Sequence, residues 1–162
     1  MTSLFYRFTR ALAGSLAGTY LFSRIMHHLD RPVFRLTGGR RSAASLLTGL
    51  PVLMLTTTGA KSGLPRTTPL LSLPVAGGGY VVIASNWGQK HYPGWYHNLR
   101  KHPQVRAAVQ GQGEAAYLAR ETEGAEREAL WQEAVRRYPG YRQYAQRVGV
   151  RHIPVILLEP LS

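Results

Sequence analysis

From Pro51 onward, short β-branched runs alternate with glycine turns, and this punctuation constrains the fold more than any other feature of the chain. Residues 52–58 are rich in Val, Leu and Thr, and the β-branched members suit a pleated, half-buried surface. A turn carrying Gly59 and Gly63 separates them from a second run at 67–73, so the two read as a hairpin. Gly77, Gly78 and Gly79 make the next turn, ahead of a strand over 80–85. Residues 105–109 and 115–119 form another hairpin around Gly111 and Gly113. A last strand covers 153–159, with Pro154 near its start, where a missing donor is tolerated. Helices are expected over 93–101, from Glu121 to about Tyr138, and over 140–147. Pro93 stands near the first position of the first helix and Pro103 follows its stop. The second opens with Glu121, Glu123 and Glu126 against the positive end of the helix dipole. Six short strands joined by hairpin turns favour a small antiparallel barrel of the α+β, mainly β, class over a parallel doubly wound sheet.

Residues 1–50 differ from the rest and read as a basic helical N-terminal extension to a barrel domain over 51–162. Residues 4–26 read as one helix, weakened by Gly14 and Gly18, with Arg7, Arg10 and Arg24 flanking an apolar centre. A secretory signal is disfavoured because no small-x-small cleavage site follows Phe22; Arg24, His27 and His28 come instead. The apolar run is too short to span a bilayer. Two roles stay open for this helix: packing on the domain, or lying on an anionic membrane surface. Pro32 ends it, and 37–41 is a flexible basic linker.

Charge is distributed unevenly. Residues 1–113 hold 13 Lys and Arg and a single acid, Asp30, whereas residues 114–162 hold 7 of each sign. The positive field therefore belongs to the part of the chain that carries the glycine turns. An anionic cofactor, a membrane surface or nucleic acid would each answer it. Nucleic acid is the weakest of these, since the aromatics are not interleaved with the basic runs. There is no cysteine, which excludes disulfides, thiolate nucleophiles and Cys-based metal centres, and fits a cytoplasmic protein.

Two segments carry the chemistry. Residues 55–66 (LTTTGAKSGLPR) and 84–90 (ASNWGQK) each offer open backbone and a lysine, and together suggest one shared anionic ligand, most simply a phosphate. Lys61 supplies a point charge, Ser62 a hydroxyl and Arg66 a planar fork, on a turn that Gly59 and Gly63 keep open to close approach. The plainer reading is an ordinary basic hairpin. Further on, Pro93 and Gly94 open a short helix whose first N–H groups favour an anion or a ring carbonyl. Trp95 and Leu99 share a face of it that suits core packing. Tyr138, Tyr141 and Tyr144 are spaced by three and would fall along one side of a helix, as core or as the wall of a site. The six histidines make no metal motif, and no metal is expected. No Ser-His-Asp arrangement is evident.

Four segments in order, 56–66 (TTTGAKSGLPR), 84–88 (ASNWG), 95–99 (WYHNL) and 138–144 (YPGYRQY), resemble the deazaflavin-dependent nitroreductase family. The resemblance covers roughly residues 50–160 and implies a split β-barrel that binds coenzyme F420. It implies cofactor contacts from Lys61, Ser62 and Arg66; from Ile83, Ala84, Ser85 and Asn86; and from Gly94, Trp95, Tyr96, His97 and Asn98, chiefly through backbone. It casts Tyr138, Tyr141 and Tyr144 as the substrate-side wall, with Tyr141 the one that touches the cofactor. The chain departs from the family pattern at Ala60, where Arg is common, and at Gln89, where a second glycine is frequent. The implied activity is hydride transfer from reduced F420 to a small electron-poor acceptor: a quinone, a nitroaromatic or an activated enone. Two other readings keep the barrel, an FMN-dependent reductase and a non-enzymatic lipid or fatty-acid carrier.

Overall fold

The computed structural model describes residues 50–109 and 113–161. The expected N-terminal helix, the basic linker and most of the turn around Gly111 lie outside the described residues. Six strands, β1 (Val52–Thr58), β2 (Pro65–Pro74), β3 (Tyr80–Ile83), β4 (Gln104–Val109), β5 (Glu114–Glu121) and β6 (Val155–Pro160), pair antiparallel into a closed barrel in the order β1-β2-β3-β6-β5-β4. Pairing of Leu53 with Val109 and of Thr56 with Arg106 joins β1 to β4 and removes any free edge. Three helices follow the expected plan: α1 (Gly94–Lys101), α2 (Gly124–Arg137) and α3 (Gly140–Val148).

The strand period of two explains the barrel interior. Leu53 and Leu55, Tyr80 and Val82, Val105 and Ala107, Tyr117 and Ala119, and Ile156 and Leu158 alternate along their strands and share one buried cluster. Trp95, Tyr96 and Leu99 from α1 complete that cluster. Leu53, Leu55, Ile156 and Leu158 are fully buried, each worth about 2–3 kcal/mol by area. A second cluster sets Val81, Ile83 and Val155 against Ala134, Val135, Tyr138, Tyr141, Tyr144 and Val148 of the α2–α3 layer. All four residues of β3 are thus buried, because that strand is covered on both faces.

Several boundaries differ from expectation. α2 opens at Gly124 rather than Glu121, because Glu121 pairs with Ile156 as the last residue of β5, and of the expected acids only Glu126 falls in its first turn. β6 begins at Val155 rather than 153. β3 ends at Ile83 rather than 85, since Ser85 is helical in conformation and Asn86 has φ 48°, so neither can extend a strand. β2 begins at Pro65, two residues early, paired with Thr58. Tyr138 stands outside both flanking helices, at the end of α2 with φ −135°, and Pro139 opens α3. The three tyrosines therefore do not ride on one helix; they converge across a helix break.

Candidate functional site

The β1–β2 turn is built to be open. Gly59 donates its N–H to Leu64 O (2.9 Å) and accepts from Gly63 N (2.8 Å), and Gly63 takes φ 67°. A Cβ on Gly59 would stand 2.5 Å from Ser62 Oγ, so a side chain there would displace the hydroxyl. Lys61, Ser62 and Arg66 are exposed along the turn, and neither cation pairs with an acid among the described residues. The turn is held from α1. Asn98 Oδ1 accepts the Ala60 N–H at 2.9 Å, Asn98 Nδ2 donates to Thr57 Oγ1 at 3.0 Å, and Lys101 Nζ donates to Ala60 O at 2.7 Å.

The second loop leaves β3 through a strained turn. Asn86 (φ 48°) and Trp87 (φ 58°) are both left-handed without being glycine, each at a cost of about 1–3 kcal/mol. Asn86 Nδ2 donates to His91 O at 3.0 Å. Gly88, with φ 77°, lets α3 come close; a Cβ there would lie 3.2 Å from Tyr144 Cα. Trp87 meets the Tyr144 ring edge-on at 6.4 Å. Behind this loop Arg151 donates to Ala84 O, Ser85 O and Gln89 O and lies 4.9 Å from the centre of the Tyr92 ring. Burial lowers the pKa of Arg151 from its ordinary value.

Between the two loops lies a cleft of about 1440 Å³. Of the residues that the resemblance cast as cofactor or acceptor contacts, Lys61, Ser62, Arg66, Ile83, Ser85, Asn86, Gly94, Trp95, His97, Asn98, Tyr138, Tyr141 and Tyr144 line it. Among the described residues no carboxylate does. Thr68, Pro69, Leu70 and Leu71 of β2 add an apolar wall. Two of the residues implied by resemblance stand elsewhere. Ala84 is fully buried, its N–H given to Pro154 O and its carbonyl to Arg151. Tyr96 belongs to the barrel core and gives its hydroxyl to Glu121 Oε2 at 2.7 Å; burial, reinforced by that carboxylate, pushes its pKa up to about 12. Asn98 reaches the cleft, but its amide is spent on holding the turn.

The tyrosine wall is graded. Tyr138 and Tyr144 join their hydroxyls at 3.0 Å. The Tyr141 hydroxyl has no hydrogen-bond partner among the described residues, although its ring packs edge-on against Tyr138 at 5.2 Å. Burial raises the pKa of both Tyr141 and Tyr144, with the neighbouring Tyr138 adding to it, so both stay protonated at neutral pH. Sequence reasoning missed Arg151 and Lys101. Neither belongs to a motif, and Arg151 stands 66 residues from the Ser85 carbonyl that it holds.

The model of the F420H(2)-dependent quinone reductase family matches residues 29–160. A 59-residue segment is 48% identical to an F420H(2)-dependent quinone reductase of Mycobacterium tuberculosis, covering 36% of this chain and 39% of that relative's length. A second M. tuberculosis protein, provisionally named for the same activity, is 32% identical over 120 residues, 74% of this chain and 98% of its own. A solved F420-H2 dependent reductase superposes with a TM-score of 0.61 at 40% identity, over 67% of this chain and 94% of its own.

Proposed function

This chain belongs to the F420H(2)-dependent quinone reductase family, and from that membership we propose that its cleft binds coenzyme F420 and reduces a small electron-poor acceptor, a quinone first among them. The observation that carries the reading is a cleft whose described lining holds no carboxylate, two cations that pair with no acid among the described residues, and three tyrosines. Ligand sites commonly measure about 300–1,000 Å³; at about 1440 Å³ this one has room for a cofactor and an acceptor together.

When bound, the reduced cofactor supplies a hydride from C5 of its ring. The protein binds, orients and excludes water. Lys61, Ser62 and Arg66 hold the phosphate on the open turn, and the cationic field of this half of the chain suits an acidic tail. Val52, Pro69, Leu70 and Leu71 keep the ring region dry. An acceptor that takes up hydride gains negative charge on its oxygen. Tyr141 lines the cleft and its hydroxyl has no partner among the described residues, so it would meet that charge. That phenol would donate a hydrogen bond to the oxygen or relay the proton that completes the reduction. Nitroaromatics and activated enones present the same oxygen acceptors and belong to the proposed range. The basic N-terminal segment would bring the enzyme to an anionic membrane; flotation on liposomes with and without residues 1–40 tests that part.

Titration of the purified protein with F420 and, separately, with FMN, followed by tryptophan fluorescence, tests the reading. Tight F420 binding with weak FMN binding is expected. The reverse order would move the barrel to flavin chemistry, and binding of neither would leave the reductase proposal without its cofactor.

A further inference from the structure

Arg151 does not line the cleft, yet it holds the loop that does. Its guanidinium spends Nη2 on Ser85 O (2.8 Å), Nη1 on Ala84 O (3.3 Å) and His152 O (3.4 Å), and Nε on Gln89 O (3.1 Å). A trans peptide sets C=O and N–H on opposite sides. With the Ala84 and Ser85 carbonyls turned to Arg151, the N–H groups of Ser85 and Asn86 face away from it. Neither N–H has a hydrogen-bond partner among the described residues. Ser85 is right-handed helical (φ −70°, ψ −30°) and Asn86 left-handed (φ 48°), the sequence of conformations that makes successive N–H groups converge on one point. Both residues line the cleft.

We propose that Arg151 is a positioning residue: by holding the carbonyls of Ala84, Ser85 and Gln89 it turns the Ser85 and Asn86 N–H groups into the cleft, as paired donors for a carbonyl or anionic oxygen of the bound ligand. The inference deepens the cofactor reading and rests on it for the ligand's identity. The arrangement needs arginine in particular. A planar fork reaches four carbonyls and stacks on Tyr92, whereas a lysine ammonium is a point charge on a flexible stem.

The test has two arms. In the first, amide hydrogen exchange is read on the unliganded wild type and on Arg151→Lys. Faster exchange over 84–89, with 59–64 unchanged, is expected; unchanged exchange over 84–89 overturns the proposal. In the second, F420 is titrated into wild type, Arg151→Lys, Ser85→Ala and Ser85→Pro. Proline fits the φ of Ser85 and deletes its N–H, while alanine deletes only the hydroxyl. About tenfold weaker binding by Arg151→Lys, and by Ser85→Pro relative to Ser85→Ala, is expected. Millimolar guanidinium should restore affinity to Arg151→Ala, which a role in packing alone would not allow. Equal affinity of the two Ser85 variants overturns the donor assignment even if the Arg151 variants fail to fold. If wild type binds no F420, it is the cofactor reading that falls, and the exchange arm alone decides for or against Arg151.

Discussion

Asn98 accepts the Ala60 N–H at 2.9 Å across 38 positions of sequence, and so pins the open β1–β2 turn to the first helix. The same amide donates to Thr57 Oγ1, one pair short of the end of the β1–β2 ladder at the turn. With Lys101, which donates to Ala60 O, this side chain ties the Lys61 turn to the helix that carries Gly94 and Trp95.

Removing that amide should cost both stability and affinity. Asn98→Ala leaves the part-buried Ala60 N–H without a partner, at about 1–3 kcal/mol, and takes one of its two hydrogen bonds from the Thr57 hydroxyl, which still donates to Arg66 O. Urea denaturation and F420 titration of the same preparation measure the two effects. A variant as stable as wild type would show that Lys101 holds the turn without help.

Lys61→Ala is expected to weaken F420 binding about tenfold, the worth of one charge-assisted contact, while leaving the turnover of the saturated enzyme nearly unchanged. The loss should shrink as salt is raised, because the lysine is exposed. An unchanged dissociation constant at low salt would remove Lys61 from the phosphate site.

The tyrosines should separate by role. Tyr141→Phe removes a hydroxyl that nothing in the described fold uses, so stability should hold while turnover or acceptor affinity falls. Tyr144→Phe breaks the 3.0 Å hydroxyl pair with Tyr138 and should cost about 1 kcal/mol. Steady-state kinetics against a quinone and thermal melts distinguish them; wild-type kinetics for Tyr141→Phe would leave its hydroxyl without a function.

Gly88→Ala tests the contact between the strained loop and the tyrosine layer. The residue has φ 77°, and a Cβ there would press on the Tyr144 backbone at 3.2 Å. A destabilisation of about 1–3 kcal/mol is expected, together with altered Trp87 fluorescence. A silent substitution would mean that loop and helix are not coupled.

Alkaline unfolding carries a signature of Tyr96. Its folded pKa is raised to about 12 by burial and by Glu121, against an ordinary value of 10.0. The folded state therefore keeps a proton that the unfolded chain gives up. This contribution is fully present below about pH 10 and is lost as pH rises toward 12. Denaturation curves between pH 8 and 12 should show less loss in this window for Tyr96→Phe than for wild type.

How much of this could be read from residues alone depended on range. Strand and helix positions followed from β-branched runs, glycine turns and proline stops, because each is decided by φ, ψ and side-chain entropy within a few residues. The exposed turn that carries Lys61, Ser62 and Arg66 was legible for the same reason, whereas bringing Gly94 and the tyrosines to the same cleft needed the resemblance and the fold. What only the tertiary structure decided were the clamps and the exclusions. Arg151 belongs to no motif, and its value lies in carbonyls more than 60 positions away. Asn98 reads as a ligand contact until the fold brings Ala60 and Thr57 within reach of its amide. Tyr96 and Ala84 sit beside cleft residues in sequence, yet the packing of α1 on the barrel and the pairing of Ala84 N–H with Pro154 turn them to the core. The chain determined its local conformations; closing six strands into a barrel decided which polar groups stayed free to meet a ligand, because a hydrogen bond is spent only where the partner arrives.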